Sequence, residues 1–251
     1  MTTKELCLPT NDSVRAPYGL QIIESCITCP HRQERLFCNL SPSAVQMLAA
    51  ITSPTTYPKG ATLFIEGQAS RGVFILCSGR VKLSTSSAEG KTLIARVSEP
   101  GEVLGLPATI SGKPYELTAE VIEPAQANFI PRTDFLRFLC ENGEAALRVA
   151  QQLGETYHAA IGEMRMIGLS HLATEKLAQF LFDQSAEHAQ GKDQVRLVMI
   201  FTHEEIGQMI GVTRETVSRA FAELKRKQLI QVKGSALTIP SRVSLQKLIR
   251  S

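Results

Sequence analysis

Two groups of residues in this sequence could do chemistry, a set of cysteines and one basic segment. Cys7, Cys26, Cys29 and Cys38 fall within the first 38 residues. The spacing Cys26-x2-Cys29-x8-Cys38, with Cys7 upstream, supplies four thiols, the number an iron–sulfur cluster normally requires. Zinc held by Cys26, Cys29, Cys38 and either Cys7 or His31 is a second chemistry for the same residues, and a thiol redox switch a third. Packing of these side chains without any metal is the fourth reading, and the sequence leaves all of them open. Cys77 in Phe74-Ile75-Leu76-Cys77 and Cys140 in Phe138-Leu139-Cys140 read instead as small buried hydrophobes. His158, His171, His188 and His203 are scattered without ligand spacing and read as surface residues.

The basic segment is residues 202–224, THEEIGQMIGVTRETVSRAFAEL, with the positions just after it. Thr202 and Glu205 have the spacing of a capping box, so a helix is predicted from here to about Ile210. Gly211 stops that helix, Thr213 caps a second, and Glu215 lies in the first turn, where its charge suits the helix dipole. Two short helices joined by a glycine turn make a helix-turn-helix, with Ile206, Ile210, Val212, Val217 and Phe221 as the shared core. The early face of the second helix carries Arg214, Glu215, Ser218 and Arg219, side chains that suit base edges in a major groove. Lys225, Arg226 and Lys227 are placed for phosphates. The stretch 231–239 reads as a hairpin around Gly234-Ser235, a wing that carries Lys233.

The elements that must position these groups follow from periodicity. Ser41 before Pro42 predicts an N-capped helix to about Ile51, closing an N-terminal segment of residues 1–54. Over 55–132, glycines at 60, 67, 72, 79, 90, 101, 105 and 112 punctuate short alternating runs with no sustained helical period, which predicts an antiparallel sandwich, barrel or jelly roll. Over 133–169 the period becomes helical. Ala146, Ala150, Leu153, Tyr157, Ala160, Met164 and Ile167 repeat as a and d positions for three heptads, which predicts a dimerisation helix. Residues 170–251 form a second domain: a helix over 172–182, a strand over 195–200, then the helix-turn-helix and wing. The fold class is α+β, a jelly-roll-like sensor domain, a long helix and a C-terminal winged helix-turn-helix.

With 251 residues, 43% hydrophobic and 20% charged, the chain can bury real cores without covalent staples, and its composition excludes disorder and collagen-like repeats. No apolar run approaches the ~18–20 residues of a membrane helix, and the N-terminus lacks the apolar core of a signal peptide. A soluble, cytoplasmic protein is expected, in whose reducing surroundings a disulfide framework is not. The net charge of +3 divides unevenly: residues 1–169 carry 15 Lys and Arg against 16 Asp and Glu, and residues 170–251 carry 12 against 8. A basic C-terminal part is what binding to double-stranded DNA needs.

The β-roll, the helix, and the winged helix-turn-helix with RETVSR at its recognition position resemble the Crp/Fnr family of bacterial transcription regulators over nearly the whole chain. The resemblance implies a homodimer on a near-palindromic operator and RNA polymerase as a further partner. It implies base readout by Arg214, Glu215 and Arg219 in the catabolite-activator pattern, or by Glu215, Ser218 and Arg219 in the Fnr pattern. The N-terminal cysteines are similar to those of the Fnr branch, which hold a [4Fe-4S] cluster, although Asn128 stands where that branch has its distal cysteine. Cys7 is then the candidate fourth ligand.

The family's cAMP pocket uses an Arg-Ser pair and a glutamate. There is no arginine between Arg96 and Arg132, the pair's place reads Tyr115-Glu116-Leu117-Thr118, and Glu102 aligns better with the preceding turn. cAMP in the usual mode is therefore not expected, and a nucleotide-type ligand without a cluster is the alternative signal. An enzyme of the cupin type is not expected either, because none of the five histidines lies in 55–132.

Overall fold

The computed structural model describes residues 17–88, 90–169, 172–189 and 192–249. They form two compact units, one of residues up to Val81 with Ser98–Tyr115 and Ala119–Val149, the other of Lys82–Val97, Glu116–Thr118 and residues from Ala150 onward.

In the first unit two 3-10 turns, Pro17–Gly19 and Arg32–Glu34, precede helix α1 (Pro42–Ile51). The first helix ends where the sequence predicts, but the Ser41 side chain makes no capping bond. Its backbone N–H donates instead to Glu144 Oε2 at 2.9 Å. A single sheet follows from β1 (Ser53–Tyr57), β2 (Thr62–Phe64), β3 (Gly72–Ser86), β4 (Thr92–Ser98), β5 (Val103–Leu104) and β6 (Thr118–Pro131). The path is β1-β6-β3-β4, with β2 added to β6 and β5 to β3. β1 runs antiparallel to β6, Ser53 opposite Phe129 and Tyr57 opposite Ala125.

The two long strands, β3 and β6, approach each other too closely for side chains at some points. A Cβ at Gly79, which sits at φ +79°, would fall on the Pro124 carbonyl oxygen and beside Ala125. Several of the glycines in this region thus mark turns, and this one marks contact between strands.

Two differences from the sequence reading have local causes. Helix α2 (Leu106–Ser111) lies inside the predicted all-strand region, bounded on both sides by left-handed glycines, Gly105 and Gly112. At six residues it is too short to show a helical period. The single helix predicted over 133–169 is two, α3 (Arg132–Glu141) and α4 (Gly143–Leu169). Asn142 divides them: its side-chain amide donates to the Phe138 carbonyl at 2.9 Å, ending α3, while its own carbonyl accepts the Ala146 N–H at 3.1 Å, starting α4.

Ala145 and Val149 are the buried positions at the start of α4, one residue out of phase with the heptad seam. Of the seam itself, Ala146 and Leu153 are half-buried, Ala150 and Ala160 exposed, and Tyr157 and Met164 are 65% and 67% exposed. Ile167 is in α4, but its side chain lies outside the described residues.

The second unit contains α5 (Ala173–Gln184), α6 (Ala186–Ala189), β7 (Val195–Val198), α7 (His203–Ile210), α8 (Arg214–Arg226), β8 (Gln231–Lys233), β9 (Ala236–Ile239) and α9 (Arg242–Ile249). The predicted strand over 195–200 stops at Val198, where its pairing with β9 ends at Ala236. The sheet order is β7-β9-β8, and Leu177, Leu181, Ile206, Ile210, Val217 and Leu224 are fully buried in the core between helices and sheet. Each such side chain contributes about 1.5–3 kcal/mol.

Candidate nucleic-acid interface

The predicted capping box is present: Thr202 Oγ1 accepts the Glu205 N–H at 3.2 Å, and Glu205 Oε2 accepts the Thr202 N–H at 2.8 Å. Gly211, at φ +71°, ends α7. A second glycine that sequence reasoning passed over makes the turn possible. A Cβ at Gly207 would lie 2.7 Å from the Val212 carbonyl oxygen, so only glycine lets the chain fold back against α7 and start α8. Thr213 Oγ1 then accepts the Thr216 N–H at 3.3 Å and caps α8.

Of the residues expected to read bases, Arg214, Glu215 and Arg219 stand exposed on the early turns of α8. The backbone N–H of Glu215, then the Thr213 hydroxyl, then Arg214 and Arg219 hold the Glu215 carboxyl below its usual range. It is therefore ionised at neutral pH and ready to accept from an amino group. Arg219 is steadied by a bond from its guanidinium to Thr216 Oγ1 at 3.3 Å.

Ser218 is already engaged. Its hydroxyl donates to the Arg214 carbonyl at 3.1 Å and lies 2.9 Å from His203 Nδ1. The His203 ring stacks on Phe221, centroids 4.6 Å apart and 8° from parallel. Desolvation, then Lys225, then Arg214 lower its pKa, which favours the neutral ring. His203 thus ties the two helices together. As a lone histidine after a cap it carries no such signal in the sequence, because its partners are 15 and 18 positions away.

The phosphate-facing set also divides. Lys227 Nζ is 2.8 Å from Glu223 Oε1, and Glu223 Oε2 takes a hydrogen bond from Thr174 at 2.6 Å. Lys227 is therefore held by a carboxylate of its own helix, whereas among the described residues no ion pair is seen at Lys225, Arg226 or Lys233. The predicted wing is β8 and β9 around Gly234, at φ +61°. Its pairing with β7 brings Lys233 together with Lys192 and Arg196 around an open groove of about 930 Å³, also lined by Gln231 and Thr238. Lys192 and Arg196 were not expected in the basic surface. The antiparallel pairing of β7 with β9, Arg196 opposite Thr238, brings them there.

In the β-roll, Tyr115 occupies the position of the missing Arg-Ser pair. It is 3% exposed, stacks on Phe64 at 4.1 Å, and donates its hydroxyl to the Gly72 carbonyl at 2.7 Å. The same oxygen accepts the N–H groups of Arg71 and Gly72 at 3.2 and 3.3 Å. Glu102 is used locally, as expected of a turn residue, accepting the Glu99 N–H at 3.0 Å.

Residues 54–142 match the cyclic nucleotide-binding domain family, and residues 175–248 match the Crp-like helix-turn-helix domain family. The chain is a Crp/Fnr-type transcription regulator. It is 22% identical over 215 residues to the CRP-like cAMP-activated global transcriptional regulator of Mycobacterium tuberculosis, covering 86% of this chain and 96% of that one. It is 29% identical over 196 residues to the fumarate and nitrate reduction regulatory protein of Escherichia coli, covering 76% of each. The fold is shared with FixK2 from Bradyrhizobium japonicum, with a TM-score of 0.68 at 23% identity over 79% of this chain and 97% of that one. The regulator binds DNA and is not an enzyme. Its relatives include both a cAMP-activated protein and fumarate and nitrate reduction proteins, so the similarity does not single out the Fnr branch. No helix among the described residues is long and apolar enough to cross a membrane.

One of the regulator's cysteines departs from expectation. Cys140 is exposed: α3 buries Phe135 and Phe138, and a residue two positions beyond Phe138 turns to the opposite face. Cys77 is buried, as predicted, and the N-terminal thiols lie near it. Burial pushes Cys77 up to about 12, and Cys26, Cys38 and Cys29 are close enough to raise it further, while Arg35 lowers it. Burial likewise pushes Cys38 up to about 12, and raises Cys26 against a hydrogen bond from Asn128. His31 pairs with Glu34 at 3.8 Å on the surface, and no group of three or more His, Cys, Asp or Glu among the described residues could hold a metal ion as it stands. This goes against a zinc site made with His31. Thiols such as those of Cys26, Cys29, Cys38 and Cys77 are the donor type of an iron–sulfur cluster, which spreads its ligands more widely than one ion does. Cys7 lies outside the described residues.

Proposed function

We propose that this regulator binds a near-palindromic operator as a homodimer formed along the seam from Ala146 to Ile167, with α8 of each protomer in the major groove. The exposed Arg214, Glu215 and Arg219, on a helix fixed by the Thr213 cap and the Gly207 turn, are the observation that carries this reading. Arg forks guanine O6 and N7, and a carboxylate accepts from cytosine N4. Lys225, Arg226 and Lys233, with Lys192 and Arg196, face phosphates, and half-sites should lie ~34–36 Å apart. RNA polymerase is the further macromolecular partner. The exposed Tyr157 and Met164 support the seam as a surface for a second copy.

The signal is read at the N-terminal thiols. The Tyr115 ring fills the place of a nucleotide's phosphate contacts, which weighs against cAMP. Cys26, Cys29 and Cys38 would hold an iron–sulfur cluster with a fourth thiol, for which the sequence offers Cys7, and such a group when bound supplies oxygen- and redox-sensitivity. The Arg219→Ala protein tests the DNA assignment. Discrimination between operator and random DNA should fall by about 5- to 150-fold, equivalent to about 1–3 kcal/mol, in quantitative gel shifts. Undiminished discrimination would remove α8 as the reading element.

A further inference from the structure

Cys77 stands between two attachments that hold the N-terminal segment on the sheet. On one side is Gln126, fully buried on β6. Its side-chain amide donates to the Ile23 carbonyl at 2.7 Å and accepts the Ile23 N–H at 2.8 Å, fixing the chain three residues before Cys26. Two positions along β6, Asn128 Nδ2 donates to Cys26 Sγ at 3.6 Å. The backbone N–H of Gln126 also donates to Ser78 Oγ at 3.2 Å, which brings β3 to this attachment one residue from Cys77.

On the other side is Arg35, three residues before Cys38. A Cβ at Gly101 would stand 2.8 Å from Arg35 Cγ, so the arginine side chain lies directly on that glycine. The Gly101 N–H donates to the Leu76 carbonyl at 2.8 Å. Both neighbours of Cys77 are therefore bonded to residues on which the N-terminal segment rests, Leu76 to Gly101 under Arg35 and Ser78 to Gln126 beside Ile23.

A second observation marks the same place. Asn128 is 3% exposed, yet its Oδ1 has no hydrogen-bond partner, while its Nδ2 is on the Cys26 sulfur. A buried unpaired carbonyl beside a group of thiols is a signature of a site shaped for more than the side chains it holds.

We propose that Cys77, in place of Cys7, completes a four-thiol site with Cys26, Cys29 and Cys38 for an iron–sulfur cluster of the [4Fe-4S] type. The inference rests on reading the N-terminal thiols as the sensor and names their fourth partner. Three of the ligands sit on a segment joined to the sheet by a few hydrogen bonds, and the fourth is fixed inside a central strand. The cluster would then staple that segment to β3. Asn128, donating to the Cys26 sulfur, is a positioning residue, because hydrogen bonds to ligating sulfurs tune such clusters.

The test uses the full chain, purified without oxygen and reconstituted with ferrous iron and sulfide, scored by iron and sulfide content and by visible absorption. The parent and Cys7→Ser should carry the cluster, and Cys77→Ala should lose it. Because Cys77 is buried, the thermal transition of metal-free Cys77→Ala is recorded alongside, and Cys29→Ala, on the exposed segment, should lose the cluster with that transition unchanged. Should Cys77→Ala fail to fold, Asn128→Leu keeps the proposal testable, since it should hold the cluster less well and shift its reduction potential. Loss in Cys7→Ser with retention in Cys77→Ala would overturn the proposal. So would a parent that takes up one zinc ion per chain and no iron, or an Asn128→Leu protein with unchanged cluster content and potential. Operator binding by metal-free protein in gel shifts is measured separately, so failure of the cluster assignment and failure of the DNA-binding reading are distinguishable.

Discussion

The helix-turn-helix and the thiol group are built on opposite principles. From Thr202 to Lys227 nearly every determinant lies within a helical turn or two of the residue it serves: Thr202 with Glu205, Gly207 with Val212, Thr213 with Thr216, Glu223 with Lys227. The thiol site draws on residues 23–38, 76–78, 101 and 126–128, and Gln126 reaches Ile23 across 103 positions. The first site is specified by spacing along the chain, the second by how strands pair. A change in the first should act locally, and a change in the second should spread through a sheet.

The largest expected effect tests that spreading. Tyr115→Ala removes a stacked ring and three hydrogen bonds that fasten the α2 region to the start of β3. About 3–5 kcal/mol of stability should be lost from the first unit. Calorimetry should show the transition of that unit falling while that of the C-terminal unit is unmoved. A uniform fall in both would mean that the two do not respond separately.

At the C-terminal end the counterpart is Thr202→Ala, which removes one half of the capping box. It should destabilise α7 by about 1 kcal/mol, seen as faster amide exchange confined to α7 and the turn. Smaller still is the difference between two adjacent cations. Arg226→Ala should flatten the salt dependence of DNA binding by about one phosphate contact. Lys227→Ala should flatten it less, because Lys227 is held by Glu223 at 2.8 Å. Equal slopes would show that DNA displaces that ion pair.

The same contrast explains what could be read from the chain beforehand. The capping box, Gly211, the recognition helix and the wing were legible because each is a local pattern. The a and d spacing of the long helix was legible too, but its break at Asn142 depends on one side-chain bond to Phe138, which periodicity does not register. Cys77 is the buried residue that its apolar run predicts, but the nearness of Cys26 and Cys38 was not legible, because they are distant in sequence. Lys192, Arg196 and His203 were missed for the same reason, each gaining its role from a pairing or contact between elements.

His203 is the smallest effect and the sharpest probe of the locally encoded site. Its pKa is lowered in the folded protein by desolvation, then by Lys225 and Arg214. Below the ordinary histidine value of about 6.5 the unfolded chain binds this proton more readily than the folded one, so stability should decline as pH falls through that value. Above it both states are neutral and the residue adds no pH dependence. A protonated ring would also carry its charge onto Phe221, beside Arg214 on the reading face. His203→Gln keeps a donor toward Ser218 and abolishes the titration. In that protein the C-terminal unit should lose the part of its pH dependence that lies below about pH 6.5, measured by urea unfolding. An unchanged profile would assign the pH dependence to other groups and leave His203 as a purely steric tie between α7 and α8.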